Sequence, residues 1–102
     1  FLCASAIGYY GSQGEAALTE VSKNGQDFLA LVSRQWEAST APLADKARLA
    51  YLRFGVILSK HGGALAKMLP IFNLGGGGPL GSGKQYMSWI ALDDVVGAIV
   101  HV

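Results

Sequence analysis

The segment Gly78-Pro79-Leu80-Gly81-Ser82-Gly83-Lys84-Gln85 is the sharpest chemical pattern in the sequence. Its spacing matches GxxxxGK, a loop whose backbone N–H groups wrap phosphates while the Lys caps them and a following Ser or Thr holds Mg²⁺. Gln85 stands where that hydroxyl belongs. The flanks disagree as well. A phosphate loop follows a strand and opens a helix, whereas this segment lies between a helical pattern and an extended one. A flexible loop is the reading that these flanks favour.

Other reactive side chains are scattered. Cys3, His61 and His101 lie far apart and show no metal-ligand spacing, so no metal site is expected. Cys3 sits in an apolar strand and reads as a small buried hydrophobe. His61 adjoins Gly62-Gly63 and reads as a loop residue, and His101 lies on the last helix, placed to interact with its C-terminal end. Asp93 and Asp94 are adjacent, so on a helix they point in different directions and cannot easily flank one bond. Carboxylates at a helix N-terminus account for them better. Arg53 interrupts an apolar strand, and a buried guanidinium needs a carboxylate, phosphate or carbonyl partner. A structural ion pair and a ligand contact are equally open there.

The elements that must position these residues alternate. Residues 1–6 read as a short buried strand, followed by a loop from Gly8 to Gly14 and a polar, turn-rich stretch over 15–25. A helix is expected from about Gln26 to Ser39, with Asp27 near its positive end, an apolar stripe of Phe28, Leu31, Val32 and Trp36, and Pro42 beyond its close. Arg48 to Leu58 reads as one nearly continuous apolar strand covered on both faces. Leu65, Met68, Leu69 and Phe72 mark a second helix that Pro70 kinks or ends. Leu74 to Gly83 is loop and Gln85 to Ile90 a short extended piece. The last helix starts near Leu92 and buries Leu92, Val95, Val96, Ile99 and Val102. Strands alternating with helices imply crossovers and a parallel sheet, hence an α/β fold.

The chain has 102 residues, 51% of them hydrophobic, 15% charged, with 14 glycines and a net charge of +1. The apolar fraction excludes intrinsic disorder. Near-neutral charge argues against a nucleic-acid partner. No apolar stretch approaches the ~20 residues needed to span a bilayer, so no membrane partner is expected. One cysteine excludes a disulfide scaffold and a zinc site built on Cys pairs, and it suits a reducing cytoplasm. The chain begins and stops inside apolar runs, and two main strands make a poor sheet. Both features predict a piece of a longer chain, with its sheet completed by a missing N-terminal segment or a partner chain.

Several segments together resemble one family. Ser5-Ala6-Ile7-Gly8-Tyr9-Tyr10-Gly11 looks like the strand-five segment of extended short-chain dehydrogenases, the NAD-dependent epimerase/dehydratase group. Leu52-Arg53-Phe54-Gly55-Val56-Ile57-Leu58 looks like their next strand. Gly81-Ser82-Gly83-Lys84-Gln85 through Trp89-Ile90 and Asp93-Asp94-Val95 looks like their GxGxQ loop, short strand and following helix. Trp36-Glu37, Gly63-Ala64-Leu65-Ala66-Lys67-Met68-Leu69-Pro70 and Gly77 to Gly83 resemble a branch labelled nucleoside-diphosphate-sugar epimerases, some of whose members are labelled cell-division inhibitors.

The resemblance implies a fold, a cofactor and a site. Residues 1–102 would form a single partial domain, the later half of a Rossmann-like doubly wound parallel sheet with helices on both faces and substrate-side loops at 8–25 and 73–85. The cofactor would be NAD or NADP, with the main dinucleotide-binding turn outside this chain. Ala4, Ser5, Ala6, Phe54, Gly55 and Val56 would line the cofactor, and Arg53, Lys84, Gln85, Met87 and Trp89 the small-molecule substrate. Ser5 is the nearest match to the family's catalytic Ser or Thr. The Tyr-x-x-x-Lys pair is missing: the helix that should hold it reads Phe28-Leu29-Ala30-Leu31-Val32-Ser33-Arg34. Tyr9 or Tyr10 would then substitute as proton donor. Met87 stands where many sugar-nucleotide members have a phosphate-binding Arg, which weakens the case for such a substrate, although Lys84 could supply a point charge. Two functions follow: an NAD(P)-dependent epimerase, dehydratase or reductase, inactive as this isolated segment, or a non-catalytic cofactor-binding or regulatory member of the same fold.

Overall fold

A computed structural model describes all residues, 1–102. The chain divides into two compact units, Phe1–Phe54 and Gly55–Val102.

The first unit is a β–α–β crossover. Strand β1 spans Leu2–Ala6, helix α1 spans Phe28–Thr40 and strand β2 spans Ala50–Phe54. β1 and β2 pair in parallel, with Ser5 opposite Arg53 and Ala6 opposite Phe54. A 3₁₀ turn over Ile7–Tyr10 follows β1, so the expected loop begins with a turn of helix. Asp27 caps α1 by accepting a hydrogen bond from the Ala30 N–H at 2.8 Å. Pro42 lies in a second 3₁₀ turn, Ala41–Leu43, just past the end of α1.

The face that α1 buries differs from the expected one. Phe28 and Trp36 are 75% and 61% exposed, and Leu31 and Val32 are also exposed. Ala30 and Glu37 are buried instead, with Ser33 and Thr40 half-buried on the same side. The spacing 30, 33, 37, 40 is helical. Small side chains let the helix lie close to the strands, and Glu37 is accommodated because a cation on β2 meets it.

The second unit contains strand β3 (Val56–Leu58), helix α2 (Gly63–Asn73), strand β4 (Trp89–Ala91) and helix α3 (Leu92–His101). β3 and β4 pair in parallel, Val56 opposite Trp89. The single strand expected over 48–58 is therefore two strands, interrupted at Gly55 and paired to different partners. The interruption has a steric cause. A Cβ on Gly55 would lie 2.5 Å from the Ser88 carbonyl oxygen, the same oxygen that accepts the Val56 N–H at 2.9 Å. Only glycine lets the two backbones approach that closely.

Pro70 does not end α2, which continues to Asn73. α3 starts directly after β4, with Asp93 and Asp94 in its first turn and His101 in its last, as the charges predict. Of its expected buried face, Val95 is buried, while Leu92, Val96, Ile99 and Val102 are 38–53% exposed. Each sheet contains two strands, so the apolar surface on these helices has few strands to cover it. No helix is long and apolar enough to cross a membrane.

Candidate functional site

The polar centre of the first unit is built on the strand register. Parallel pairing sets Ser5 and Arg53 side by side, and α1 brings Glu37 over them. Arg53 Nε donates to Glu37 Oε1 at 2.8 Å and Arg53 Nη2 donates to Glu37 Oε2 at 2.7 Å. This is a two-pronged guanidinium–carboxylate pair, the strongest geometry available to these groups. Ser5 Oγ donates to Glu37 Oε1 at 2.6 Å. The side chains are 18% (Arg53) and 8% (Glu37) exposed, so the pair is largely removed from water.

The charges are tuned accordingly. The Arg53 hydrogen bonds hold the Glu37 carboxyl below its ordinary value of 4.5; burial opposes this, and the Ser5 hydroxyl and the Arg53 charge add to it. Hydrogen bonding to Glu37 raises Arg53 above its ordinary range against the cost of burial, with Tyr10 contributing in the same direction. Arg53 stays a cation at any accessible pH.

Two tyrosines complete the centre. Arg53 Nη1 donates to the Tyr10 phenol oxygen at 2.8 Å and also reaches the Glu20 carbonyl at 3.3 Å. The guanidinium carbon lies 3.6 Å from the centre of the Tyr9 ring, and the Tyr9 and Tyr10 rings meet edge to face at 5.3 Å. The loop that carries the tyrosines is pinned. Asn24 Nδ2 donates to the carbonyls of Tyr9 and Ala30, at 2.6 and 3.1 Å, and the Gly25 N–H donates to Tyr9 O at 2.9 Å. Gly25 passes so close to the tyrosine turn that a Cβ there would lie 2.7 Å from Tyr10 O. An open cleft of about 580 Å³ adjoins this centre, lined by residues that include Tyr10, Glu20, Tyr51, Arg53 and Phe54.

The expected site residues therefore separate into two sets. Ser5, Tyr9, Tyr10 and Arg53 converge through Glu37 and the pinned loop. Ala4 and Ala6 alternate with Ser5 along β1 and are exposed, Trp36 Nε1 donates to Ala4 O at 2.9 Å, and Phe54 lines the cleft. Gly55, Val56, Lys84, Gln85, Met87 and Trp89 belong to the second unit. There Gly55 makes its close approach to Ser88, and Val56 pairs with Trp89. Met87 and Trp89 are 60% and 62% exposed.

The loop around Lys84 is closed on itself: Gln85 Nε2 donates to Leu80 O at 2.8 Å, the Gly83 N–H to the same oxygen at 3.0 Å, and the Lys84 N–H to Ser82 Oγ at 3.3 Å. It lies between α2 and β4, and no helix opens from it. Phosphate-loop geometry is absent. No group of three or more His, Cys, Asp or Glu side chains is placed to hold a metal ion.

Glu37 is the central residue to which the sequence reading assigns no site role, placing it only within the Trp36-Glu37 resemblance. It lies seven residues after Ala30, on the small-residue face of α1, and that periodicity was the available signal.

No protein-family model matches the chain. Curated relatives and solved structures do. The chain is 48% identical over 96 residues to the chloroplastic epimerase family protein SDR39U1 homolog of Arabidopsis thaliana, covering 94% of this chain and 28% of that protein. It is 38% identical over 98 residues to the human epimerase family protein SDR39U1, covering 95% of this chain and 33% of the relative. The crystal structure of human SDR39U1 with NADPH superposes with a TM-score of 0.92 at 36% identity, over 98% of this chain and 34% of that one. The nucleoside-diphosphate sugar epimerase structure from Corynebacterium glutamicum gives a TM-score of 0.88 at 44% identity, over 97% of this chain and 22% of that one. The chain thus spans about a third or less of the proteins it matches. With parallel strands, alternating helices and these relatives, the chain belongs to the NAD-dependent epimerase family of extended short-chain dehydrogenases, as part of a Rossmann-like fold.

Proposed function

We propose that residues 1–102 form the later half of a dinucleotide-binding domain, with substrate-side loops at 8–25 and 73–85, in an NAD(P)-dependent epimerase- or reductase-like enzyme. The observation that carries this reading is the convergence of Ser5, Tyr10 and Arg53 near the carboxyl ends of paired parallel strands, beside a cleft. Ligands of open α/β sheets bind outside those ends. The NADPH in the human relative's structure supports a nicotinamide dinucleotide as cofactor.

The residues fit one part of such a cofactor and not another. Ala4 and Ala6 are small and exposed on β1, leaving room for a flat ring. Two of the three helix N-termini are poor phosphate sites: Asp27 caps α1, and Asp93 and Asp94 occupy the first turn of α3; α2 opens from Gly62-Gly63, which lacks the dinucleotide-binding glycine fingerprint. The pyrophosphate-binding turn is accordingly assigned to sequence outside residues 1–102. When bound, the nicotinamide supplies hydride transfer. The chain supplies a phenol at Tyr10 as proton donor, while Tyr9 packs under the Arg53 guanidinium. The substrate is a small molecule, nucleotide-sugar-like or other, met by Lys84, Gln85, Met87 and Trp89. The compartment read from the single cysteine is the cytoplasm, although the plant relative's name places that protein in the chloroplast.

A second reading has its own support. Residues 1–102 hold no Tyr-x-x-x-Lys pair, and Arg53 is engaged by Glu37, which supports a cofactor-binding or regulatory member of the same fold without turnover. Calorimetric titration of the full-length protein with NADPH and NADH tests the shared premise; no heat of binding with either sinks both readings. Turnover of any substrate in a broad alcohol and carbonyl panel then rejects the second.

A further inference from the structure

Tyr10 is 8% exposed, yet its hydroxyl has a specific job to do in the hydrogen-bond pattern. Arg53 Nη1 is a donor only, so at 2.8 Å the phenol oxygen must accept from it. One lone pair is thereby taken, and the phenol's own proton is turned away from the guanidinium. No acceptor within the chain receives that proton, and Tyr10 lines the cleft.

The direction of Arg53 is in turn fixed by Glu37. Both carboxylate oxygens engage the guanidinium, through Nε and Nη2, which leaves Nη1 as the edge that faces Tyr10. The fork is planar, so two contacts on one side set the orientation of the third. Ser5 Oγ donates to the same Glu37 Oε1 at 2.6 Å, and the guanidinium carbon lies 3.6 Å from the centre of the Tyr9 ring.

We propose that Glu37 and Arg53 are positioning residues for Tyr10: the ion pair holds the phenol as a hydrogen-bond donor to a carbonyl or hydroxyl oxygen of a ligand in the cleft. This deepens the enzyme reading above and rests on it for the nature of the ligand. Arg53 is then a support for the ligand-touching group and makes no ligand contact of its own. A lysine could not replace it, because a single ammonium lacks the planar fork that engages both Glu37 oxygens and the phenol.

The test uses the full-length protein labelled with [ζ-¹³C]tyrosine, the Tyr10 signal being identified by its loss in Tyr10→Phe. The protein is loaded with NADP⁺ and titrated with cyclohexanone as a carbonyl probe; this pair cannot react, so the spectrum reads an equilibrium complex. The expected result is a saturable shift of the Tyr10 Cζ line with cyclohexanone in the wild type. In Glu37→Gln and Arg53→Lys that shift falls to less than half, while NADP⁺ affinity stays within about twofold. A wild-type Tyr10 line unmoved by cyclohexanone overturns the proposal, and so does a full wild-type shift in both variants. The wild-type titration decides the donor role even where a variant fails to fold. Failure of the parent reading looks different: the wild-type protein then takes up no NADP⁺ at all.

Discussion

Removing the Glu37 carboxylate should destabilise the protein more than any surface substitution. Glu37→Ala deletes two charge-assisted hydrogen bonds to Arg53, at 2.7 and 2.8 Å, and one from Ser5 at 2.6 Å. It also strands a guanidinium that is 18% exposed. Breaking one partner out of a buried pair costs about 3–5 kcal/mol. Arg53 keeps some access to water and retains Tyr10 and the Glu20 carbonyl, so the lower end, about 3 kcal/mol, applies here. The double substitution Glu37→Leu with Arg53→Met should cost less than Glu37→Ala alone, since no uncompensated charge remains.

Urea unfolding of the full-length protein measures all corners of the cycle. A loss below about 1 kcal/mol for Glu37→Ala, the range of an exposed pair, would refute the buried-pair argument. So would a double variant whose loss equals the sum of the losses of Glu37→Leu and Arg53→Met made singly. The same pair sets an acid dependence. The folded-state carboxyl lies below its ordinary 4.5, so the unfolded chain binds the proton more readily. The pair's stabilisation is full above about pH 4.5 and is lost as pH falls through the depressed folded value. Glu37→Gln should therefore flatten part of the stability loss below that pH. An unchanged acid slope would show that the carboxylate does not titrate against Arg53.

Three further outcomes follow from single positions. Gly55→Ala must displace Ser88, whose carbonyl would lie 2.5 Å from the new Cβ, and should cost about 2 kcal/mol in urea unfolding. Asp27→Ala removes the α1 cap and should cost about 1 kcal/mol, while Asp27→Asn should retain most of it. Asn24→Ala frees the carbonyls of Tyr9 and Ala30, and amide hydrogen exchange in residues 8–25 should accelerate, with global stability falling by about 1–2 kcal/mol.

The elements that could be read from the sequence are those whose signals are local. α3 carries Asp93 and Asp94 at its positive end and His101 at its negative end, and all three stand where the dipole wants them. Asp27 marks the start of α1 in the same way. The parallel pairing follows from strands separated by a crossover helix. The break at Gly55 was hidden because its cause, the Ser88 carbonyl, lies 33 residues away in the chain, and a glycine within Leu52–Leu58 otherwise reads as a weak point of one strand. The buried face of α1 was hidden for a related reason. Ala30, Ser33, Glu37 and Thr40 have the composition of a solvent face, and Phe28, Leu31, Val32 and Trp36 that of a core face.

The burial of Glu37 on α1 turns on one residue of the opposing strand. Without Arg53, Glu37 on a helix face pressed against a sheet would be an unpaired buried carboxylate. With Arg53 opposite Ser5, the strand register supplies a cation and a hydroxyl together, and the helix can seat its carboxylate between them. An arginine in an apolar strand thus carried more information than the apolar stripe did. It called for a carboxylate, phosphate or carbonyl partner, and the carboxylate that α1 carries, in phase with Ala30, is Glu37. That rule also separates the two meanings first open for Arg53. Its fork is closed by Glu37 within the chain, so the structural ion pair is present, and its remaining edge meets Tyr10 and the Glu20 carbonyl beside the cleft.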